Sequence, residues 1–318
     1  MSEPARGTDG QRTGEATAEH TGERTDGQGP PADLRGALAA AATRLAEAGV
    51  PSAWADAQAL AAHTLGVSRA ELARLIVLGG PAPEGLPDLV ARRAAREPLQ
   101  HITGRASFRR LDLRVGPGVF IPRPETEVVA GIAIEEARAS AHPVVVDLCT
   151  GSGAIALAVA DEVPAARVVA VEVDPAAHAW AARNVAAAGG RVDLRLGDVA
   201  DRRLTGDLDG AVDVVVANPP YIPPDGTPVD LEVSLHDPPL ALYGGGDDGL
   251  SVPREVVAAA HRLLRPGGLL VMEHAESQAE AARALVAGTG WVDLHTVVDL
   301  AGRPRALVAR HAGTAPRG

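Results

Sequence analysis

The feature that most constrains this chain is the tetrapeptide Asn218-Pro219-Pro220-Tyr221, which directly follows the apolar run from Val212 to Ala217. Two consecutive prolines cannot donate a backbone hydrogen bond, so the chain must leave a buried strand at Asn218. In an open α/β sheet, the carboxyl edge of the strands is where ligands bind. The tetrapeptide therefore predicts a binding site at the end of a central strand.

The residue types of the tetrapeptide suit the binding of a planar –NH2 group. The side-chain oxygen of Asn218 and a backbone carbonyl freed by the prolines can each accept one N–H, while the Tyr221 ring covers the face of the group. The nitrogen lone pair then points at an electrophile, as methyl transfer to an amide or amino nitrogen requires. The competing interpretation is a strand-ending turn without chemistry, because Asn-Pro is a common start of a turn.

The composition predicts a globular protein and argues against nonspecific binding to nucleic acid. A chain of 318 residues, 46% hydrophobic and 22% charged, is long enough for two domains with a buried core. A net charge of −11 is a poor match for a phosphate backbone. The single cysteine, Cys149, excludes an intrachain disulfide. No apolar stretch is long enough to span a membrane, so we expect a cytoplasmic protein without a membrane partner.

The N-terminal part of the chain divides into three segments. Residues 1 to 31 contain almost no large apolar side chain, which predicts a disordered tail. Residues 32 to 97 have leucines at helical spacing and predict a small helical domain. Residues 98 to 121 predict a β-hairpin linker, in which Leu111 to Val115 pairs with Val119 to Ile121 around a Gly-Pro-Gly turn. The predicted helices cover residues 33 to 48, 54 to 65, 68 to 78 and 86 to 96.

Residues 122 to 311 alternate strand and helix patterns, which predicts a doubly wound α/β sheet, and residues 312 to 318 form a short tail. The first strand ends in Thr150-Gly151-Ser152-Gly153, where glycines let the backbone approach a ligand and the next helix presents free N–H groups. Glu172 ends the second strand and is placed to accept from ribose hydroxyls. Asp174 is the competing candidate, although Asp174-Pro175 is typical of a helix cap.

The remaining patterns concern the third strand and the segment after the tetrapeptide. Asp198 follows the third strand and is either a carboxylate near an adenine amino group or a turn residue. Residues 222 to 248 predict a long irregular loop, and such loops in compact domains are usually functional. A helix over 250 to 264 is expected to end at Pro266-Gly267-Gly268, before a strand over 269 to 273 and a helix over 276 to 287. Two closing strands, 292 to 298 and 306 to 310, are expected to be antiparallel.

Taken together, these motifs resemble class I S-adenosylmethionine-dependent methyltransferases, and more specifically the HemK-type release factor glutamine methyltransferases. The matching segments have the order and spacing of that family over about residues 33 to 310. They are Arg96 to Gly104, Phe120 to Glu127, Asp147 to Ala156, Asn218 to Ile222, Pro238 to Gly245, Asp248 to Leu250, and Gly302 to Arg305.

The resemblance implies a Rossmann-like, seven-stranded methyltransferase domain with its last strand reversed. It also implies a helical N-terminal domain that helps to hold a peptide chain release factor. The implied reaction transfers a methyl group from S-adenosylmethionine to the side-chain amide nitrogen (N5) of the glutamine in the Gly-Gly-Gln motif of the release factor.

Carried over residue by residue, the resemblance also implies the site. The cofactor would contact Asp147, Cys149, Thr150, Gly151, Ser152, Gly153, Glu172, Asp198, Val199 and Asn218. The glutamine would contact the catalytic tetrapeptide Asn218, Pro219, Pro220 and Tyr221, together with Phe120 and Arg123. We assign no metal ligand and no general base, because positioning and electrostatics can supply the catalysis. This sequence has Cys149 where the family usually has Gly, Glu172 where it usually has Asp, and His101 where it often has Tyr.

Two other functions deserve comparison. Adenine N6 in DNA or RNA presents the same planar –NH2 group, but enzymes that modify it usually need a basic face and a base-flipping cleft. The chain is acidic and lacks an added recognition domain with clusters of basic residues, which disfavours this alternative. A nucleotide-binding module that had lost its chemistry would be expected to have altered Asn218 or the glycine turn, and both are intact.

Overall fold

The structure is a computed structural model that describes residues 33 to 228, 230 to 288 and 290 to 313. The tail predicted over residues 1 to 31 lies outside the described residues, as do residues 314 to 318 of the predicted C-terminal tail.

The helical N-terminal region has its own apolar core. Its first helix begins at the predicted cap, where the Asp33 carboxylate accepts a hydrogen bond from the backbone N–H of Gly36 at 2.7 Å. Leu34, Leu38 and Leu45 face inward and are fully buried, as their helical spacing predicted. The described helices are α1 Leu34–Glu47, α2 Ala53–Leu65, α3 Arg69–Leu78, α4 Leu86–Ala94 and α5 Leu99–Thr103. The prediction of a helical region is confirmed, and the short helix α5 was not predicted.

The hairpin that follows was predicted with the wrong partner strand. Strands β1 (Arg105–Phe108) and β2 (Leu111–Arg114) pair antiparallel, and the chain turns between them at Arg109, where φ is 53°. Val119 and Ile121 are not in a strand but are buried in a small apolar cluster. The Gly-Pro-Gly segment passes the Trp180 ring, which leaves no room for a Cβ at Gly116. Packing against that ring, and not strand pairing, therefore decides the conformation of residues 115 to 121.

Seven of the described strands form one sheet in the order β5-β4-β3-β6-β7-β9-β8. The strands are β3 Val144–Leu148, β4 Arg167–Glu172, β5 Val192–Leu196, β6 Val212–Ala217, β7 Leu264–Glu273, β8 Trp291–Val298 and β9 Pro304–His311. Strands β3 to β7 are parallel, whereas β9 is antiparallel to both of its neighbours, β7 and β8. The doubly wound sheet with a reversed last strand is thus confirmed. The strand order reverses at β3, between β4 and β6, and this is where such sheets bind ligands.

Helices cover both faces of the sheet. The helices of this part of the chain are α6 Thr126–Arg138, α7 Ala154–Glu162, α8 Pro175–Ala187, α9 Arg202–Thr205, α10 Leu231–His236, α11 Pro239–Leu242, α12 Ser251–Leu263 and α13 Ala279–Val286. Helices α6 and α7 pack on one face, and α12 and α13 pack on the other. Neighbouring valines on one strand point to opposite faces, so Val145 joins the first core and Val146 the second.

Two further boundaries differ from the predictions. Strand β7 begins at Leu264, five residues before the predicted start at 269, so the Pro-Gly-Gly segment lies within the strand. The strand accommodates this segment by a shift of register beside β6, between Val212 and Val214. The segment over 222 to 248 is not wholly irregular, since it contains α10 and α11. Both helices are short, and α11 begins at Pro239, a residue favoured at the first helical position.

Candidate functional site

A cleft of about 690 Å³ opens at the carboxyl ends of β3, β4 and β6. Thirteen of the predicted site residues line it: Phe120, Arg123, Cys149, Thr150, Gly151, Ser152, Glu172, Asp198, Val199, Asn218, Pro219, Pro220 and Tyr221. The other two, Asp147 and Gly153, are buried behind its wall. The parallel strands place their ends at one edge, so residues distant in sequence meet there.

Asp147 supports the glycine turn from behind. Its side chain is fully buried and its Oδ2 accepts from the Thr150 hydroxyl at 2.5 Å and from the Ala156 N–H at 3.0 Å. Burial raises the pKa of Asp147 to about 7, although both hydrogen bonds oppose that rise. Asp147 therefore shapes the turn and the start of α7, and its side chain does not face the cleft.

Glu172 joins the ends of β3 and β4. Its carboxylate accepts from the Gly151 N–H at 2.7 Å, the Val173 N–H at 3.0 Å and the Asp174 N–H at 2.9 Å. Burial raises the pKa of Glu172 more than these backbone donors lower it. Asp174 accepts from the Ala176 N–H at 2.8 Å and is the cap of α8, as predicted. Both carboxylates line the cleft at this strand end, Glu172 bonded to three backbone N–H groups and Asp174 capping its helix.

The turn itself has an unusual backbone at Cys149. This residue has φ of 62°, a left-handed conformation that costs a residue with a Cβ about 1 kcal/mol or more. Gly151 has φ of 58°, and a Cβ built on it would meet open space. The loop therefore leaves room beside Gly151 for a ligand to approach the backbone.

The third strand end contributes a more exposed wall. Asp198 is exposed and accepts from the Ala200 N–H at 2.9 Å, so it is a turn residue that also lines the cleft. Val199 is half-buried next to it and presents an apolar surface.

Asn218 and Tyr221 are both anchored by side-chain hydrogen bonds. The Asn218 Nδ2 donates to the Thr126 Oγ1 at 3.2 Å, and the Tyr221 hydroxyl donates to Glu273 Oε1 at 3.3 Å. Burial and the Glu273 carboxylate raise the pKa of Tyr221, which keeps the phenol protonated. The tetrapeptide is therefore held by its side chains as well as by its prolines.

The chain returns from α11 to brace the same turn. The Leu242 carbonyl accepts from the Tyr221 N–H at 3.1 Å and the Ile222 N–H at 2.8 Å. Gly244 lies so close to the Pro220 carbonyl and to Gly249 that a Cβ there would collide with backbone. Gln278 adds a hydrogen bond from Nε2 to the Tyr221 carbonyl at 2.8 Å. The segment after the tetrapeptide thus fixes it in place.

Arg123 and Phe120 form the opposite wall. The Arg123 guanidinium lies 5.2 Å from the centre of the Phe120 ring and bonds the buried carboxylate of Asp237 at 2.6 Å. Burial raises the pKa of Asp237, and Arg123 partly offsets that rise. Arg123 is therefore engaged within the protein, where it ties the segment between α10 and α11 to the loop that precedes α6.

The helical region reaches the cleft through a buried arginine. Arg93 on α4 pairs with Asp56 on α2 at 2.7 Å and with Glu232 on α10 at 2.8 Å. Arg96 pairs with the same Glu232 oxygen at 2.9 Å. These ion pairs fasten the segment that braces the tetrapeptide to the N-terminal helices.

Comparison with known proteins gives the family. The PrmC N-terminal domain model matches residues 36 to 104, and the methyltransferase small domain model matches residues 111 to 235. A release factor glutamine methyltransferase of Streptomyces coelicolor is 53% identical over 86% of this chain and 97% of its own length. Its counterpart in Mycobacterium tuberculosis H37Rv is 45% identical over 89% of this chain and 93% of its own. The chain belongs to the release factor glutamine methyltransferase family.

A solved structure of a release factor-specific protein-(glutamine-N5) methyltransferase from Alicyclobacillus acidocaldarius is also similar. It is 27% identical, with a TM-score of 0.39, and the match covers 63% of this chain and 99% of that one.

Among the residues of the site that sequence reasoning missed, Thr126 and Glu273 anchor the tetrapeptide through its side chains. Thr126 lies within a motif that was recognised for the family, but nothing in the motif indicated that its hydroxyl would reach Asn218. Glu273 did carry a signal, because an acidic residue at the end of a buried apolar strand is the same pattern that singled out Glu172. Applied consistently, that rule would have found it.

In the part of the chain that the structure describes, no helix is both long and apolar enough to cross a lipid bilayer.

Proposed function

We propose that this protein transfers a methyl group from S-adenosylmethionine to the side-chain amide nitrogen (N5) of the glutamine in the Gly-Gly-Gln motif of peptide chain release factors. The observation that carries this proposal is the position of Asn218 to Tyr221, at the switch point of the sheet in a chain of this family. The release factor glutamine methyltransferases named above support the same substrate.

The residues at the β3 and β4 end of the cleft fit S-adenosylmethionine. Open space beside Gly151 allows close approach to the backbone, and Glu172 on the cleft wall is an acceptor suited to ribose hydroxyls. Asp198 and Val199 offer a polar and an apolar contact where an adenine would lie. The acidic wall also suits a cation, and the sulfonium is positively charged. When bound, this cofactor supplies an electrophilic methyl group.

The tetrapeptide fits the amide of a glutamine side chain. We assign one N–H of the substrate amide to Asn218 Oδ1 and the second to a backbone carbonyl of the Pro-Pro pair. The half-buried Tyr221 ring would cover the face of the amide. An amide nitrogen is a poor nucleophile because its lone pair is delocalised, so fixing both N–H groups is the main contribution that these residues can make.

No general base is assigned to the reaction. Glu273, which bonds the Tyr221 hydroxyl, is buried and does not line the cleft. The amide nitrogen gains the methyl group and loses one proton, which we assign to solvent after transfer. Catalysis then rests on positioning and on the electrostatics of the cleft.

Exposed apolar side chains beside the cleft suit a protein substrate. Leu231, Leu235 and Leu240 on α10 and α11 are each more than half exposed, and Leu240 lines the cleft. Contiguous exposed apolar side chains at the mouth of a site are typical of protein contacts. We propose that this surface, together with the helical domain over residues 32 to 97, binds the release factor. We also propose that the reaction takes place in the cytoplasm.

The decisive experiment combines the protein with isotope-labelled S-adenosylmethionine and a purified release factor, followed by peptide mass spectrometry. We expect the label on the glutamine of the Gly-Gly-Gln motif and none on a release factor in which that glutamine is replaced by alanine. Label on any other residue, or on an adenine-containing DNA or RNA offered in parallel, would contradict the proposal.

A further inference from the structure

Glu273 is a buried carboxyl group that the proposed reaction does not use. It ends β7 directly behind the tetrapeptide and is 2% exposed. Its Oε1 accepts from the Tyr221 hydroxyl at 3.3 Å, whereas no donor among the described residues bonds its Oε2. The Thr126 hydroxyl is the nearby donor that lowers the pKa of this carboxyl. A buried carboxyl with so few donors is costly, so its retention here calls for a function.

Thr126 connects this carboxyl to the tetrapeptide. It is buried at the first position of α6, and its Oγ1 accepts from Asn218 Nδ2 at 3.2 Å. A hydroxyl has a single proton to donate. When that proton is directed at Glu273, the oxygen can offer only lone pairs to Asn218.

This constraint decides which way the Asn218 amide points. A side-chain amide has a donor end, Nδ2, and an acceptor end, Oδ1, and it is nearly symmetric in shape. Only the donor end can bond a lone pair of Thr126, so Oδ1 must take the other position. Asn218 lines the cleft, and Oδ1 is then the end of its amide left for a bound group there.

We infer that Thr126 and Glu273 are positioning residues that fix the amide of Asn218 with Oδ1 directed at the acceptor nitrogen. The inference rests on the proposed function, since it is the substrate amide that needs this acceptor. If the Asn218 amide were reversed, its –NH2 would face the substrate –NH2, and two donors would meet.

The charges around Glu273 determine its pKa, and therefore how strong an acceptor it is for the Thr126 hydroxyl. Burial, with a smaller contribution from Glu125, raises the pKa of Glu273 to about 7. Thr126, Arg305 on β9 and the Tyr221 hydroxyl oppose the rise. Arg305 is itself shared with Asp299 at 3.3 Å. The ionised carboxylate is the stronger acceptor, so we expect the arrangement to be most secure above neutral pH.

The test compares Thr126→Val with Thr126→Ser. Valine keeps the shape of threonine and removes the hydroxyl, whereas serine keeps the hydroxyl. Thr64→Val is the matched control, because the Thr64 hydroxyl bonds only the Leu60 carbonyl of its own helix at 2.9 Å. For each variant we would measure kcat and KM with a release factor, cofactor affinity by titration calorimetry, and the melting temperature.

We expect Thr126→Val to lower kcat by about 10- to 100-fold, the range for a misplaced reacting group, with little change in KM or in cofactor affinity. Thr126→Ser should recover kcat to within about threefold of wild type. Glu273→Gln should give an intermediate loss, because the glutamine amide can either accept from Thr126 or donate to it. Thr64→Val should match the wild type in kcat.

Three results would overturn the inference: wild-type kcat in Thr126→Val, an equal loss in Thr126→Val and Thr126→Ser, or a parallel loss of cofactor affinity. In all three, the wild-type protein would still methylate the release factor, and the proposed function would stand. Absence of transfer by the wild-type protein itself would instead overturn the proposed function and this inference with it.

Discussion

The cofactor end and the acceptor end of the cleft are each supported by one buried carboxyl group, but the partners of the two carboxyls lie at different distances along the chain. At the cofactor end, buried Asp147 bonds Thr150 and Ala156, three and nine residues away. At the acceptor end, buried Glu273 bonds Tyr221, 52 residues away, and its pKa is lowered by Thr126 of helix α6. In each case one buried carboxyl organises a loop that lines the cleft. The difference is that the first loop is organised locally and the second by the tertiary fold.

Because different carboxyl groups support the two ends of the cleft, substitutions at the two ends should impair different steps. Damage at Asp147 should affect cofactor binding, and damage near Glu273 should affect turnover while cofactor binding persists. The predictions below test that division, beginning with the largest expected change.

Asp147→Ala should have the largest effect on stability. It leaves the Thr150 hydroxyl and the Ala156 N–H without their buried acceptor, which should lower the free energy of unfolding by about 2 to 4 kcal/mol. Cofactor affinity measured by calorimetry should fall in parallel. Asp112→Ala, which breaks only an exposed pair with Arg105, is the control: it should lower the free energy of unfolding by less than about 0.5 kcal/mol and leave cofactor affinity unchanged. If Asp147→Ala lowered turnover alone, the division between the two ends would be wrong.

The pH dependence of stability should reveal the carboxyl at the acceptor end. The pKa of Glu273 is raised from 4.5 to about 7 by burial. Its stabilising contribution is therefore fully present below about pH 4.5 and is lost as pH rises through about 7, up to about 3 kcal/mol. Glu273→Gln should lack this loss, because glutamine does not ionise.

The measurement is urea unfolding of both proteins between pH 5 and 8. The stability of Glu273→Gln relative to wild type should increase with pH over that range, since Asp147 and the remaining groups are common to both proteins. A constant difference would show that Glu273 does not titrate in this window.

Arg123→Ala should have a smaller effect, confined to the acceptor end. The Asp237 side chain is 1% exposed, and without Arg123 it would lose its cationic partner, at a cost of about 1 to 3 kcal/mol. Because the pair ties down the segment that braces the tetrapeptide, kcat should fall while cofactor affinity is kept. Arg105→Ala breaks an exposed pair with Asp112 and should cost less than about 0.5 kcal/mol. Equal stability losses in the two variants would contradict this account of the segment.

Cys149→Gly should produce the smallest change, and in the opposite direction. Glycine relieves the strain of the left-handed backbone at φ of 62°, which stabilises the folded variant by about 1 kcal/mol. The greater conformational entropy of glycine in the unfolded chain offsets part of this gain. We expect the free energy of unfolding to rise by less than about 1 kcal/mol, with unchanged cofactor affinity. A clear loss of stability in denaturant titrations would mean that the Cys149 side chain contributes more by packing than its backbone costs.

The same division explains what the sequence could predict. Strand ends, the glycine turn, Glu172 and the cap at Asp174 follow from local spacing, and the structure has them where they were expected. Val119 and Ile121 were expected in a strand but instead join an apolar cluster with Trp180, a contact between distant residues that local alternation does not encode. The contacts of Thr126 with Asn218 and of Arg123 with Asp237 span 92 and 114 residues. Such pairs appear only once the sheet brings its strand ends together.

The most direct test of the central claim, that Asn218 orients the acceptor amide, is a single-turnover measurement on Asn218→Ala with a Gly-Gly-Gln release factor. Cofactor affinity of the same variant would be measured by calorimetry. We predict that methyl transfer slows by about 100-fold or more, because the lost contact aligns the nucleophile, while cofactor affinity stays within about twofold of wild type. Transfer near the wild-type rate would contradict the account, and the amide would then have to be held elsewhere in the cleft.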